Sequence, residues 1–184
     1  MLTGIFASFL IAQAPQTAQA NRAGPGTLIL GVSADYPPFE FVRNGEIVGF
    51  DIALARRIAE QTGYKLEVHE MEFDGLIGAL QAGHIHLAMS GLTITPQRQK
   101  QVDFSIPFYT PSLTFLCPHH LPLNALSDLS GKRIGTQTGS TMAAFLEHQK
   151  AQLPQTEVMV LARVSDLVQE LRVGRIAAVL LEEP

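Results

Sequence analysis

Two hydrophobic periods alternate along this chain. Leu28 to Val32 is an unbroken apolar run, the pattern of a strand covered on both faces. Helical spacing follows: Ile52, Ala55, Ile58 and Ala59 share one face, with Asp51 as the expected cap and Gly63 as the stop. Leu66 and Val68 then alternate with Lys65, Glu67 and His69, as in a half-buried strand. A second helix is expected from a cap at Asp74, with Leu76, Ile77 and Leu80 inward and Gly83 at its end. Ile85 to Met89 reads as a strand, and Thr95-Pro96 as the cap and first position of a short helix. After Pro111 the pattern restarts with strands at Leu113–Cys117, Arg133–Thr136, Glu157–Leu161 and Ala177–Leu181. The helices between them are expected at Thr141–Gln149 and from a cap at Ser165, with Leu167, Val168 and Leu171 inward. Repeated β-α-β units predict an α/β protein with largely parallel sheets covered on both faces, and the restart near residues 107–115 predicts two lobes.

The first twenty residues follow neither period. Gly4 to Ala12 is apolar but too short to span a bilayer, and Ala18-Gln19-Ala20 fits a small-x-small cleavage site ahead of Asn21. Residues 1–20 therefore read as a signal peptide, residues 21–110 as the first lobe and residues 111–184 as a truncated second lobe. Export exposes the chain to an oxidising compartment, yet Cys117 is the single cysteine and cannot form an internal disulfide; burial as a small hydrophobe is its expected fate. A net charge of −4 leaves no basic face for nucleic acid.

The unusual polar segments fall where strands are expected to end, which is where open α/β sheets place ligands. Ser33 to Phe39 follows the first strand, Ser90 to Arg98 the third, and Thr136 to Thr141 opens a helix in the second lobe; Glu182 and Glu183 follow the last strand. The set suits a zwitterion. A carboxylate fits Arg98 and the backbone around Gly91 and Thr93, and the helix start at Ser140–Thr141 adds donors with a favourable dipole. An ammonium group needs an anion, and Glu182 is available. Tyr36 and Phe73 offer faces for a side chain, by apolar contact or cation–π attraction. His84 and His86 share a strand face without a third ligand nearby, and Gly135 to Thr141 lacks the Gly-Lys-Ser/Thr ending of a phosphate loop, so neither a metal nor a nucleotide cofactor is expected.

The same residues carry a family resemblance. Asp35-Tyr36-Pro37-Pro38-Phe39-Glu40-Phe41, Gly49-Phe50-Asp51-Ile52, Phe73-Asp74-Gly75-Leu76-Ile77, Ser90 to Arg98, Val102-Asp103-Phe104-Ser105 and Gln137-Thr138-Gly139-Ser140-Thr141 resemble the family 3 extracellular solute-binding proteins, the periplasmic polar-amino-acid receptors of ABC importers. The resemblance implies a two-lobed type II periplasmic-binding clamshell that closes on one amino acid, acting as a monomer with a membrane permease as partner. It assigns the α-carboxylate to Arg98, Thr93 and the backbone near Gly91, with Thr141 contributing from the second lobe, the α-ammonium to Ser90 and Glu182, and the side chain to Tyr36 and Phe73; Thr138 is a further expected ligand-binding residue. Two departures stand out. Ser33 occupies a place where many binders of basic amino acids carry Asp, and the final segment that completes the second lobe and returns to the first is not among these residues.

Two other functions share such a fold: a periplasmic enzyme resembling cyclohexadienyl dehydratase, which needs a general acid such as Glu182 or Glu183, and a sensor module of a larger protein. The leader reading predicts that intact-mass measurement of protein recovered from the cell envelope finds a chain beginning at Asn21; a product still beginning at Met1 contradicts it.

Overall fold

The computed structural model describes residues 10–11, 26–121 and 123–183. They fall into two units, one of residues up to Thr110 and one from Pro111 onward.

The first unit contains β1 (Leu10–Ile11), β2 (Thr27–Val32), β3 (Asp35–Tyr36), β4 (Glu40–Arg43), β5 (Glu46–Val48), α1 (Phe50–Thr62), β6 (Lys65–Glu70), α2 (Leu76–Gln81), β7 (Leu87–Ala88), α3 (Pro96–Gln99) and β8 (Asp103–Phe104). Its main sheet has the order β6-β2-β7-β1-β8, and β2 lies parallel to both β6 and β7. Side chains of β2 alternate between two cores. Leu30 and Val32 pack with Ile52 and Ala55 of α1, whereas Ile29 packs with Leu76 and Leu80 of α2. Both helices thus cover the strand that sequence periodicity marks as buried on both faces. Fully burying an aliphatic side chain of this size contributes about 1.5–3 kcal/mol, so these paired layers fix the sheet's position.

The second unit contains β9 (Ser112–Leu116), β10 (Arg133–Gln137), α4 (Thr141–His148), β11 (Glu157–Leu161), α5 (Val164–Arg172) and β12 (Ala178–Glu183), in the sheet order β11-β10-β12-β9. β10 runs parallel to β11 and β12; β9 is antiparallel to β12. Met142 and Leu146 of α4 pack with Ile134 and Leu180, and Leu167 and Leu171 of α5 with Ile176 and Val179. Cys117 is half-buried against the first of these clusters.

Several local expectations change. Leu10 and Ile11, inside the stretch read as a leader, pair antiparallel with β7 and β8; the rest of that stretch lies outside the described residues. The strand expected at Ile85–Met89 is reduced to Leu87–Ala88, although Met89 N–H still donates to Gly31 O. Glu182 and Glu183 do not follow the last strand but end it, paired with Leu113 and Ser112. Asp74 caps nothing: it sits inside a 3-10 turn, Phe73–Gly75, which leads directly into α2. Ser165 lies within the first turn of α5, whose N-cap is Arg163, because Leu167 N–H already bonds Arg163 O and Val164 is drawn into the core. The β3-β4-β5 sheet was not expected at all. Its β4–β5 hairpin turns through Asn44 and Gly45, both at positive φ, the turn chemistry that suits tight hairpins.

Asp51 is also no cap, and the reason organises this unit. The N-cap of α1 is Gly49, and the first helical N–H groups are satisfied elsewhere: Phe50 N–H by Pro38 O at 3.0 Å and Asp51 N–H by Phe39 O at 2.9 Å. That clamp needs a glycine. Gly49 has φ 133° and ψ −178°, a region essentially closed to other residues, and a Cβ there would stand 2.1 Å from Phe39 O. Gly49→Ala is therefore expected to lose at least about 2 kcal/mol of stability. Gly63→Ala, at φ 74° with open space around a Cβ, should lose only about 1–2 kcal/mol. Urea denaturation of both variants against the parent checks the order; equal losses contradict the clamp.

Candidate functional site

Each unit gathers polar groups at the carboxyl ends of its parallel strands. In the first unit, Ser33 leaves β2 and Ser90 leaves β7, and both are buried. Ser33 N–H donates to Ser90 Oγ at 3.1 Å, tying the two strand ends together. Ser90 Oγ in turn donates to Glu40 Oε1 at 2.8 Å, far shorter than its alternative of 3.5 Å to Ser33 O. Ser33 Oγ is buried without a partner among the described residues, a polar atom whose desolvation is otherwise uncompensated.

Arg98 lies on α3. Thr95 caps that helix by accepting from Arg98 N–H at 3.1 Å, and Pro96 occupies its first position, as the Thr-Pro pair predicts. The turn aims Arg98 back along the preceding loop, where Nη1 donates to Thr93 O at 2.8 Å. The guanidinium lies 5.6 Å from the centroid of the Phe73 ring, and Arg98 is only 9% exposed. A cation held against an aromatic face and a carbonyl is fixed in orientation before any anion arrives. Phe73 is itself 7% exposed and belongs to the core cluster around Leu76 and Leu80, so its role in this geometry is to floor Arg98. Tyr36, on β3, is half-buried and stacks on Phe39 at 6.5 Å with 12° between the rings. Phe39 also meets Tyr109 edge-on at 5.1 Å, so Tyr36 heads an aromatic stack that braces it. Gly91 has φ 57° and turns the chain between Ser90 and Thr93.

In the second unit, Ser140 caps α4 by accepting from Ala143 N–H at 3.2 Å. Thr138 N–H donates to Leu161 O at 2.9 Å, fixing the loop after β10 to the end of β11. Thr141 Oγ1 donates to Glu182 Oε1 at 3.4 Å, so the hydroxyl at the helix start and the carboxylate on β12 meet within the second unit. Glu182 is 4% exposed. Thr136 Oγ1 is buried without a partner among the described residues.

Glu40, part of a motif in the sequence, and Asp51, expected there as a helix cap, lie together in the fold. Both carboxyls are buried, and the bonds of Phe50 and Asp51 N–H to Pro38 O and Phe39 O bring the start of α1 against β4, where Glu40 accepts from Ser90. Their signal in the sequence is an acidic residue set among apolar ones, Phe39-Glu40-Phe41 and Phe50-Asp51-Ile52. His84 and His86 are both exposed, and His86 Nδ1 accepts from Ile29 N–H at 3.1 Å. Among the described residues no group of three or more His, Cys, Asp or Glu is placed to hold a metal ion, and no helix is long and apolar enough to cross a membrane.

Comparison with known proteins accounts for this arrangement. The family model for bacterial extracellular solute-binding proteins, family 3, matches residues 28–178. The arginine-binding extracellular protein ArtP of Bacillus subtilis is 37% identical over all of this chain and 71% of its own length. ABC transporter arginine-binding protein 1 of Escherichia coli is 36% identical over 81% of this chain and 60% of its own. Among solved structures, an ancestral arginine-binding protein bound to arginine superposes with a TM-score of 0.81 at 40% identity, over 87% of this chain and 71% of that one. The chain thus spans roughly three fifths to seven tenths of the length of these relatives. Its fold is that of the type II periplasmic amino-acid binding proteins, and the chain belongs to the bacterial extracellular solute-binding proteins of family 3.

Proposed function

We propose that this protein binds a free amino acid outside the cytoplasm, with arginine as its first candidate, and delivers it to an ABC-type permease rather than transforming it. The observation that carries the reading is Arg98, a buried guanidinium held by Phe73 and Thr93 O beside the Ser90–Thr93 turn. Such an oriented fork suits the two oxygens of an α-carboxylate. Glu182, with Thr141 donating its one hydroxyl proton to it, supplies the second unit's acceptor for the α-ammonium, while the dipole of α4 and the hydroxyl of Thr138 support the carboxylate. The braced Tyr36 ring supplies the face for a planar cationic side chain. Names of the relatives favour arginine; Ser33, with its unpartnered hydroxyl, replaces the acidic residue expected of many basic-ligand binders, so affinity for the distal charge rests more on the aromatic face. Binding rather than chemistry is favoured because the relatives that cover most of this chain are named as arginine-binding proteins.

Calorimetric titration with arginine, lysine, glutamine, histidine and glutamate tests this. Arg98→Ala is expected to weaken every ligand alike by about 2–5 kcal/mol, some thirty- to several-thousand-fold, because it strands a desolvated carboxylate. Arg98→Lys should recover little, since an ammonium lacks the two-pronged geometry. Near-parental binding by Arg98→Ala overturns the carboxylate assignment, and a parent protein that binds none of the five overturns the ligand class.

The second unit makes a separate prediction. Glu182→Gln keeps the shape and the Thr141 contact but removes the charge, and is expected to cost every amino acid about 1.5–3 kcal/mol, the typical worth of a hydrogen bond to a charged group. Selective loss of arginine and lysine with retention of glutamate would instead place Glu182 on the ligand's side chain.

A further inference from the structure

Glu40 and Asp51 are each 1% exposed, and neither is used by the binding scheme above. The backbone leaves them no choice but to meet. Phe50 and Asp51 N–H groups are bonded to Pro38 O and Phe39 O, so the start of α1 lies against the residue preceding Glu40. Glu40 Oε1 accepts from Ser90, while Glu40 Oε2 and Asp51 Oδ1 find no donor among the described residues. Two ionised carboxyls are acceptors only and cannot bond to each other; one proton between those two oxygens satisfies both.

We propose that Glu40 and Asp51 share a single proton at neutral pH and act as positioning residues for the binding surface, committing the one hydroxyl proton of Ser90 to Glu40 so that Ser90 faces a ligand only as an acceptor. This rests on the reading of Ser90 as a ligand contact. A serine hydroxyl has one proton and two lone pairs. The proton goes to Glu40 Oε1 at 2.8 Å, and one lone pair takes the Ser33 N–H at 3.1 Å. The remaining lone pair can receive a donor and repels a carboxylate oxygen. Ser90 is thereby specific for the ammonium end of an amino acid, and Glu40 sets that preference without touching the ligand.

The surroundings favour the shared proton. Burial pushes the Glu40 carboxyl well above its ordinary range and the charge of Asp51 on α1 pushes it further; the Ser90 hydrogen bond opposes them, and the hydrogen bond with Asp51 and the charge of Asp35 on β3 add smaller upward effects. Burial raises Asp51 to about 6, opposed by its hydrogen bond with Glu40. Among the described residues, the charged groups acting on Glu40 are Asp51 and Asp35, both acidic. The folded protein keeps the Glu40 proton at pH values where an unfolded glutamate has lost it. Stability contributed by that proton is full below the ordinary carboxylate value and is lost as pH rises through the raised value in the folded state.

The test uses Glu40→Gln, Glu40→Ala and the parent chain. An amide reproduces the protonated acid, accepting from Ser90 through Oε1 and donating to Asp51 through Nε2, whereas alanine does neither. Infrared spectra of the ligand-free protein at pH 7 should show the carbonyl stretch of an un-ionised carboxylic acid in the parent and not in Glu40→Gln. Arginine affinity, by calorimetry, should fall at least about tenfold in Glu40→Ala, the loss expected for one buried hydrogen bond, and Glu40→Gln should recover most of it. Raising pH above neutral should lower the urea midpoint of the parent relative to that of Glu40→Gln. Absence of the acid band, a Glu40→Gln variant as weak as Glu40→Ala, or parallel pH profiles would each overturn the proposal. If the parent binds no amino acid, the ligand reading fails, while the band and the midpoints still uphold or overturn the shared proton.

Discussion

The clamp between the start of α1 and the Pro38–Phe39 backbone is the constraint on which the first unit depends. Two helix N–H groups that would otherwise need a cap are consumed by the carbonyls of a distant loop. Because the helix is held there, Asp51 need not cap it and turns inward to Glu40. Glu40 then reaches Ser90, and Ser90 joins the ends of β2 and β7. A chain of polar contacts thus runs from a helix start to the strand ends. Gly49 makes it possible, since any side chain there collides with Phe39 O.

Arg98 shows the same economy from the opposite direction. Its helix is one turn long and could not stand alone, yet Thr95 and Pro96 define its start sharply enough to aim the guanidinium. Phe73 beneath it is rooted in the hydrophobic core, so the cation rests on a floor that cannot shift without disturbing Leu76 and Leu80. A charge fixed in this way is partly desolvated and already oriented, which lowers the ordering cost when an anion binds. In the second unit, the capped start of α4 and the buried Glu182 form a smaller version of this arrangement, with a dipole and hydroxyls beside a carboxylate.

The buried carboxyl pair gives this binding protein a feature more often associated with catalysis. Two acids forced together by the backbone cannot both ionise without a compensating cation. In an enzyme such a pair faces the substrate and moves its proton; here it faces the back of Ser90, and its effect is to decide which way a hydroxyl points. Specificity for an ammonium group can therefore be set by residues that never contact it.

Much of the layout was legible in the sequence because burial leaves a periodic mark. Leu28–Val32, the α1 face of Ile52, Ala55 and Ala59, and the Thr95-Pro96 start of α3 are local patterns with local causes. The family was legible for a different reason: Ser90 to Arg98 and Gln137 to Thr141 combine turn residues, hydroxyls and a guanidinium at spacings that few other sites need. What the sequence could not reveal were the partners of single polar atoms. Asp51 and Ser165 look like caps by type and position, and only the tertiary structure showed that Phe39 O replaces the one and that the helix begins before the other. Phe73 looked like a free aromatic face, but the packing of α2 made it the floor of Arg98. Asn44-Gly45 carried a hairpin signal, yet its strands are too short and too mixed in polarity to declare themselves without the neighbouring sheet. Periodicity records which residues are buried; it does not record which buried groups meet. The meeting of Glu40 with Asp51 depends on a backbone contact between segments that only the folded chain brings together.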